Sequence, residues 1–447
     1  MTTARGLLQG LRLPVGWEAE LYVETGDDRD IGWADGRPKD CQVTRSSGAA
    51  LRVGRDGRRG FASGTDVSPE GVDRLWERAR AAAELTPRDS ARRLPGPARI
   101  SAGRAPSPDR ALLQAPVALL ERRLAALEKN LLKSDRRVRR ALSLSFSETR
   151  GEWAVVSTRG VGVAQPVGSV SFGLELLGES RGDTQVAWGS GEKIRWDRLD
   201  VRAIAADVRQ RLLDSFGAEP LSTGRWPVVF EPRVGVDLWE LLSQAVAGDA
   251  VQKGRSFLGT KLGKPVGSSR VTIRDDGRLP GGLASGPADA EGVPTQTTTV
   301  IDNGTLRGFL HDTESAARAG TASTGNADRS GFAGPPGPGT TNFYLAPGRG
   351  SAAQLLKETP RAFVVRDLIG MHTADPVSGD FSVGAAGVLW EKGRVRRAVK
   401  GVTLAGNLLD LMAKIDAVAD DLTWQGAFGS PTFRVTGLSI GGSEKNI

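Results

Sequence analysis

The stretch that bears most directly on chemistry is Trp239-Glu240-Leu241-Leu242-Ser243-Gln244, inside VDLWELLSQAVAGDA. Its carboxylate could act as a general acid/base if a metal or a second titratable group stood beside it. Spacing alone gives a simpler reading. Leu238, Leu241 or Leu242, and Ala245 form an apolar stripe at helical intervals. Asp237 followed three residues later by Glu240 is a capping-box arrangement, which makes Asp237 the expected N-cap.

Other groups that could do chemistry are sparse. The chain has two histidines, and neither sits in a ligand motif such as paired histidines at i and i+4 of one helix. His311, in GFLHDTESA, reads as an ordinary strand-end residue. His372, among the turn residues of IGMHTADPVSGDFS, is a candidate polar site group, as is Asp380 in the same segment. The loop ASTGNADRSG carries Ser323, Thr324, Asn326 and Asp328 around Gly325 and could line a substrate cleft; turn structure accounts for it equally well. There is no GxSxG elbow, no GxxxxGK[ST], and no GxGxxG in a strand-turn-helix context, so GPPGPG and GSGEK read as turns. A single cysteine, Cys41, can form neither an internal disulfide nor a zinc site by itself.

The elements that must position these residues fall into three groups. WEAELYVET and GAALRVGRDGRRGFASG read as strands, the second as a hairpin turning at Arg55-Asp56-Gly57, with Ala50, Arg52 and Gly54 facing one way and Leu51 and Val53 the other. Ser68 and Pro69 supply the N-cap and first position of a helix over VDRLWERARAAAEL. The Pro-, Arg- and Ser-rich TPRDSARRLPGPARISAGRAPSPDR is then expected as a linker. Next come a helix over ALLQAPVALLERRLAALEKNLLKS, strands ALSLSFSET (Leu142, Leu144 and Phe146 on one face) and SVSFGLELLG, and a helix over DRLDVRAIAADVRQRLLDSF. From about Pro227 the texture becomes Gly-, Thr- and Pro-rich. Hairpins are expected at Asp302-Asn303-Gly304 and Glu391-Lys392-Gly393, then a helix over GNLLDLMAKIDAVADDL and a last strand TFRVTGLSI. The expected fold class is α+β: an N-terminal α+β domain (1–95), a middle one (96–222), in which antiparallel sheet carries helices on one side, and a larger β-rich C-terminal domain (223–447).

At 447 residues the chain is too long for one ordinary core, since domains run to roughly 100–200 residues. Hydrophobic residues at 39%, charged residues at 25% and a mean hydropathy of -0.26 fit a globular protein. No apolar run approaches the roughly 20 residues of a membrane span, and the N-terminus lacks a secretory core, so a cytoplasmic location is expected. The net charge of +8 is small for this length. Its basic stretches are dispersed and not interleaved with aromatics, which argues against nucleic acid as a partner.

The ordered series WELLSQAVAGDAVQKGRSFLGTKLGKPV, LPGGLASGPADAEGVPTQTTTVIDNGTLRGFLHDTESA, STGNADRSG, TTNFYLAPG and DPVSGDFSVGAAGVLWEKG resembles the TldD/PmbA family, once named modulators of DNA gyrase; GFASGTDVSPEGVDRLWERA resembles its opening domain. The resemblance covers nearly the whole chain. TldD-type members of that family resemble metallopeptidases that bind zinc through an HExxxH helix and a later cysteine, with the glutamate as general acid/base. On this sequence Glu240 matches the glutamate, while Trp239 and Gln244 stand at the two histidine positions. The cysteine would fall near TWQGAFGSPTF, which has none. The resemblance therefore implies the PmbA (TldE) branch: no metal and no catalytic residue in this chain, zinc in a TldD-like partner subunit, a heterodimer, and unfolded or modified peptides as substrate. Two alternatives stay open. One is a subunit of an enzyme that tailors a peptide or carrier-linked small molecule in a biosynthetic pathway; the other is a non-hydrolytic binding or regulatory protein.

Overall fold

The computed structural model describes residues 2–99 and 108–442, so part of the expected 86–110 linker lies outside the described residues. The architecture is α+β with a β-rich C-terminal part. Six long strands, β1 (Glu18–Ala34), β2 (Arg37–Arg55), β3 (Arg58–Gly64), β4 (Val138–Ser157), β5 (Gly162–Ser180) and β6 (Asp183–Lys193), form one antiparallel sheet in the order β3-β2-β1-β4-β5-β6. Because β1 pairs with β4 from Glu20 to Trp33, the first 95 residues and the segment after the linker share this sheet.

Tight turns set the register. Arg55 pairs with Arg58 across Asp56 and Gly57, and Ala34 pairs with Arg37 across Asp35 and Gly36; all four turn residues have positive φ. One face of the sheet carries the helices. Leu21, Leu51 and Val53 pack under α1 (Thr2–Gly10) and α2 (Pro69–Leu85). Ile31, Leu144, Phe146 and Phe172 pack under α3 (Val117–Ser134) and α4 (Val201–Asp214). Helix α2 starts as expected, Ser68 accepting from the Gly71 amide at 3.1 Å. It lies so close to β3 that a Cβ on Gly60 would sit 1.8 Å from the Ala79 carbonyl oxygen. From α3, the buried carboxylate of Glu128 accepts from the Trp33 indole at 2.7 Å and from the Gly36 amide, fixing the helix to the tip of the first hairpin.

Three local expectations are corrected. Helix α3 begins after Pro116, so ALLQA is not part of it; the proline ring disfavours helical geometry in the residue before it. Register shifts at residues 139 and 142 turn Ala141 inward and leave Leu142 half-buried. The C-terminal helix spans only Leu408–Ala413, because Ile415–Val418 leaves it to pair with the last strand.

In the C-terminal part, strands Arg394–Asn407, Asp380–Glu391, Arg361–Ile369, Gly224–Phe230 and Phe433–Gly441 pair in sequence and close through pairing of Thr403 with Gly441. A second sheet runs from Thr305–Leu306 to Thr423–Gln425, with Ile273–Asp276 and Phe343–Leu345 at its centre. Between the two lies α5 (Pro232–Ala245), with Leu238, Trp239 and Leu242 fully buried among Phe230 and Phe433 on one side and Ile273 and Phe343 on the other. Among the described residues, no helix is long and apolar enough to cross a membrane.

The second face of the N-terminal sheet meets the C-terminal part. Glu20 and Arg52 are cross-strand partners on that face, and both are buried. Arg52 donates to Glu20 and to Glu291, each at 2.5 Å; Arg329 donates to the other Glu20 oxygen at 2.7 Å, and the Thr313 amide to Glu291 at 2.9 Å. Removing one member of such a network leaves an uncompensated buried charge. Arg52→Ala should therefore lower the unfolding free energy by about 3–5 kcal/mol, seen as a fall in the urea midpoint. A loss below about 1 kcal/mol would show that water replaces the guanidinium at no cost.

Candidate functional site

Helix α5 does not begin where the capping-box reading placed it. Glu231 is the N-cap and Pro232 the first helical residue, so Asp237 lies in the second turn. The Glu-Pro pair was the stronger start signal, since a proline's fixed φ and missing N–H suit that position. Burial pushes the Asp237 carboxyl up to about 6; nearby Glu240 and Asp367 add to this, while Arg233 opposes it.

The three motif positions do not converge. Trp239 is fully buried, whereas Glu240 and Gln244 are exposed. Gln244 lies five residues beyond Trp239, about 140° around the helix. The Trp239 indole N–H donates to the Ser430 hydroxyl at 3.0 Å, and Ser430 donates onward to the Pro431 carbonyl at 2.9 Å. Ser430 belongs to TWQGAFGSPTF, the segment in which the resemblance looks for a cysteine. It reaches α5 through the notch at Gly235, where a Cβ would lie 2.3 Å from its oxygen. Gly235 and Trp239 are one turn apart, so one face of α5 receives Ser430 by a missing side chain and a donor N–H. Phe433 packs on the same indole, with ring centroids 5.4 Å apart.

The polar loop is divided between structure and cleft. Ser323 and Thr324 grip the backbone of His311: Ser323 donates to its carbonyl at 3.0 Å, and its amide donates to the Thr324 hydroxyl at 2.7 Å. His311 is buried, its Nδ1 3.1 Å from the Ser315 hydroxyl, and burial lowers its pKa. Asn326 is different. Its amide donates to Asp275 at 2.7 Å and to the Gly339 carbonyl at 3.0 Å, and it lines a cleft of about 230 Å³ at the seam between the N-terminal sheet and the C-terminal part. Tyr22, Trp153 and Gln165 form the sheet-side wall, with the two aromatic rings stacked at 6.0 Å. Ser285, Asp289, Asn326 and Thr341 form the opposite wall. His372 and Asp380 lie outside this cleft: His372 is exposed on a short 3-10 turn, and Asp380 is exposed and accepts from Asn407 at 2.8 Å.

Sequence reasoning missed the two carboxyls that organise the cleft. Asp275 is pushed up to about 6 by burial, although Asn326, the Thr341 hydroxyl and the Thr341 amide all donate to it. Asp289 is pushed up to about 8 by burial and by Glu291, against donation from the Glu291, Val293 and Ala327 amides. Both lie in Gly-rich stretches, RDDG and ADAEG, where an aspartate ordinarily signals a turn. A polar wall opposite an aromatic one suits a ligand that offers both hydrogen-bonding groups and apolar surface. Neither histidine lines the cleft, and no group of three or more His, Cys, Asp or Glu that could hold a metal ion occurs among the described residues.

The contrast along α5 is testable by unfolding. Trp239→Phe removes the Ser430 hydrogen bond and part of the packing, and should cost about 1–3 kcal/mol. Glu240→Ala and Gln244→Ala, on the exposed side, should each stay within about 0.5 kcal/mol of the parent.

Three domain signatures match in order: the PmbA/TldA metallopeptidase domain 1 over residues 19–83, the central domain over 110–216 and the C-terminal domain over 223–442. The chain is 30% identical to the metalloprotease PmbA of Escherichia coli O157:H7, covering 90% of this chain and 88% of that protein. It is 28% identical to the metalloprotease TldD homolog of Haemophilus influenzae, covering 90% and 85%. Among solved structures, TldE from Thermococcus kodakarensis superposes with a TM-score of 0.87 at 25% identity, covering 98% of this chain and 99% of that one. Signatures along the chain, identity to PmbA and a shared fold agree: the protein belongs to the PmbA/TldD metallopeptidase family.

Proposed function

We propose that this chain is a metal-free, PmbA/TldE-like subunit that pairs with a zinc-bearing, TldD-like subunit to form a heterodimeric peptidase acting on unfolded or modified peptides. The observation that carries this reading is the fate of the helix α5 motif. An indole nitrogen has no free lone pair, and that of Trp239 is engaged as a donor to Ser430. Gln244 is an exposed amide on another side of the helix. This donor set does not fit zinc, which is held by imidazole, thiolate or carboxylate in tetrahedral geometry. Without a metal-bound water of lowered pKa, Glu240 has no proton to remove. The likeness to a TldE structure across 98% of this chain supports assignment to that branch.

In this reading the chain supplies binding rather than bond cleavage. Its seam cleft, with Asn326, Asp289 and Thr341 on one wall and Tyr22 and Trp153 on the other, would help select peptide for the partner's zinc. The test is to express the chain with a TldD-like subunit and compare peptide cleavage by each alone and by the pair. The pair should cleave, this chain alone should not, and Glu240→Gln here should leave the pair's rate within a few-fold. Cleavage by the isolated chain, abolished by Glu240→Gln, would place the catalytic centre here and overturn the reading.

A further inference from the structure

A second cavity, at one end of the N-terminal sheet, is unlike the seam cleft. It encloses about 240 Å³ between the β2–β3 turn, residues 90–94, the start of β1 and Arg159 in the β4–β5 turn. Five arginines line it, Arg55, Arg59, Arg92, Arg93 and Arg159, with two acidic residues, Glu18 and Asp56. We propose that this cavity binds the dianionic phosphate group of a small molecule.

The charge balance points that way. Glu18 is held by Arg159 at 2.6 Å, and Asp56 lies 3.7 Å from Arg55. From the rim, Glu314 pairs with Arg59, and Asp89 accepts from Arg318 at 2.5 Å. Counting Arg318, six guanidiniums face four carboxylates, an excess of two positive charges. The Nε of Arg92 is buried and has no hydrogen-bond partner among the described residues; its approaches to Asp89 and Glu314 are 3.8 and 3.7 Å. A buried donor left unmade is costly, so the wall to which Arg92 belongs is short of acceptors. Burial, with Arg52 nearby, lowers the pKa of Arg59, a cost that an added anion would relieve.

The site is built before any ligand arrives. The Asp89 amide donates to the Gly57 carbonyl at 2.8 Å, and Gly57 has φ +75, with a Cβ there falling 3.1 Å from the Asp89 carbonyl oxygen. Planar guanidinium forks match phosphate oxygens in pairs, and a dianion gains more from two surplus charges than a monoanion does.

Titration calorimetry of the full chain at pH 8 and low ionic strength, with inorganic phosphate as probe and acetate as comparator, tests this. Phosphate should saturate with a Kd below about 1 mM and bind at least about tenfold more tightly than acetate. The double variant Arg55→Gln/Arg93→Gln should weaken phosphate binding at least about tenfold without changing the circular dichroism spectrum. Absence of saturable phosphate binding, equal affinity for acetate, or undiminished binding in a folded double variant would each overturn the proposal.

Discussion

The arrangement turns on Arg52, a guanidinium held between two carboxylates, one from its own sheet and one from the C-terminal part. Glu20 faces it across the β1–β2 ladder, and Glu291 reaches it from the C-terminal part. A sheet standing alone would leave that face in water. Here Tyr22, Ala50, Val155 and Val163 on the same face pack against Ala288, so the charges are buried and must satisfy one another. Arg329 completes the balance by binding Glu20 and lying 4.8 Å over the Tyr22 ring. The loop carrying Asn326 is thereby pinned twice, at Asn326 through Asp275 and at Arg329 through Glu20. The cleft lies where it does because this seam is fixed.

A different interaction anchors the C-terminal core. Trp239 occupies the centre of that core and spends its one polar group on Ser430. Gly235 makes room for the serine, and Phe433 packs on the indole. These contacts give the motif helix a structural role in joining the closed ring of strands to the second sheet. Glu240 and Gln244, which that role does not require, face solvent.

Much of this was legible in the sequence where one residue type has one local use. The Asp-Gly and Asn-Gly turns at 56–57 and 303–304, the Lys392-Gly393 turn, and the Ser68-Pro69 helix start all lie where local chemistry put them. The leucine stripe of α5 is buried as its spacing required. What was not legible depended on distant partners. The run GDDRD, made of residue types depleted in strands, carries no strand signal of its own, yet it is strand because β2 and β4 flank it on both sides. Asp275 and Asp289 look like turn residues until the fold buries them beside amide donors. Alternation predicted that Arg52 faces away from Leu51, but not that its face would be covered by residues some 240 positions later. The position matching a zinc-ligand histidine could be assigned only by resemblance; that its indole meets the very segment expected to hold a cysteine emerged from the packing.

The central proposal is that α5 carries a core contact in place of a metal site. Zinc content measures it most directly: the chain is expressed alone in zinc-supplemented medium, desalted, and its bound metal determined by elemental analysis. The account predicts far less than one zinc per chain. One tightly held zinc per chain, lost on replacing Glu240 or Gln244 in a variant that stays folded, would contradict it.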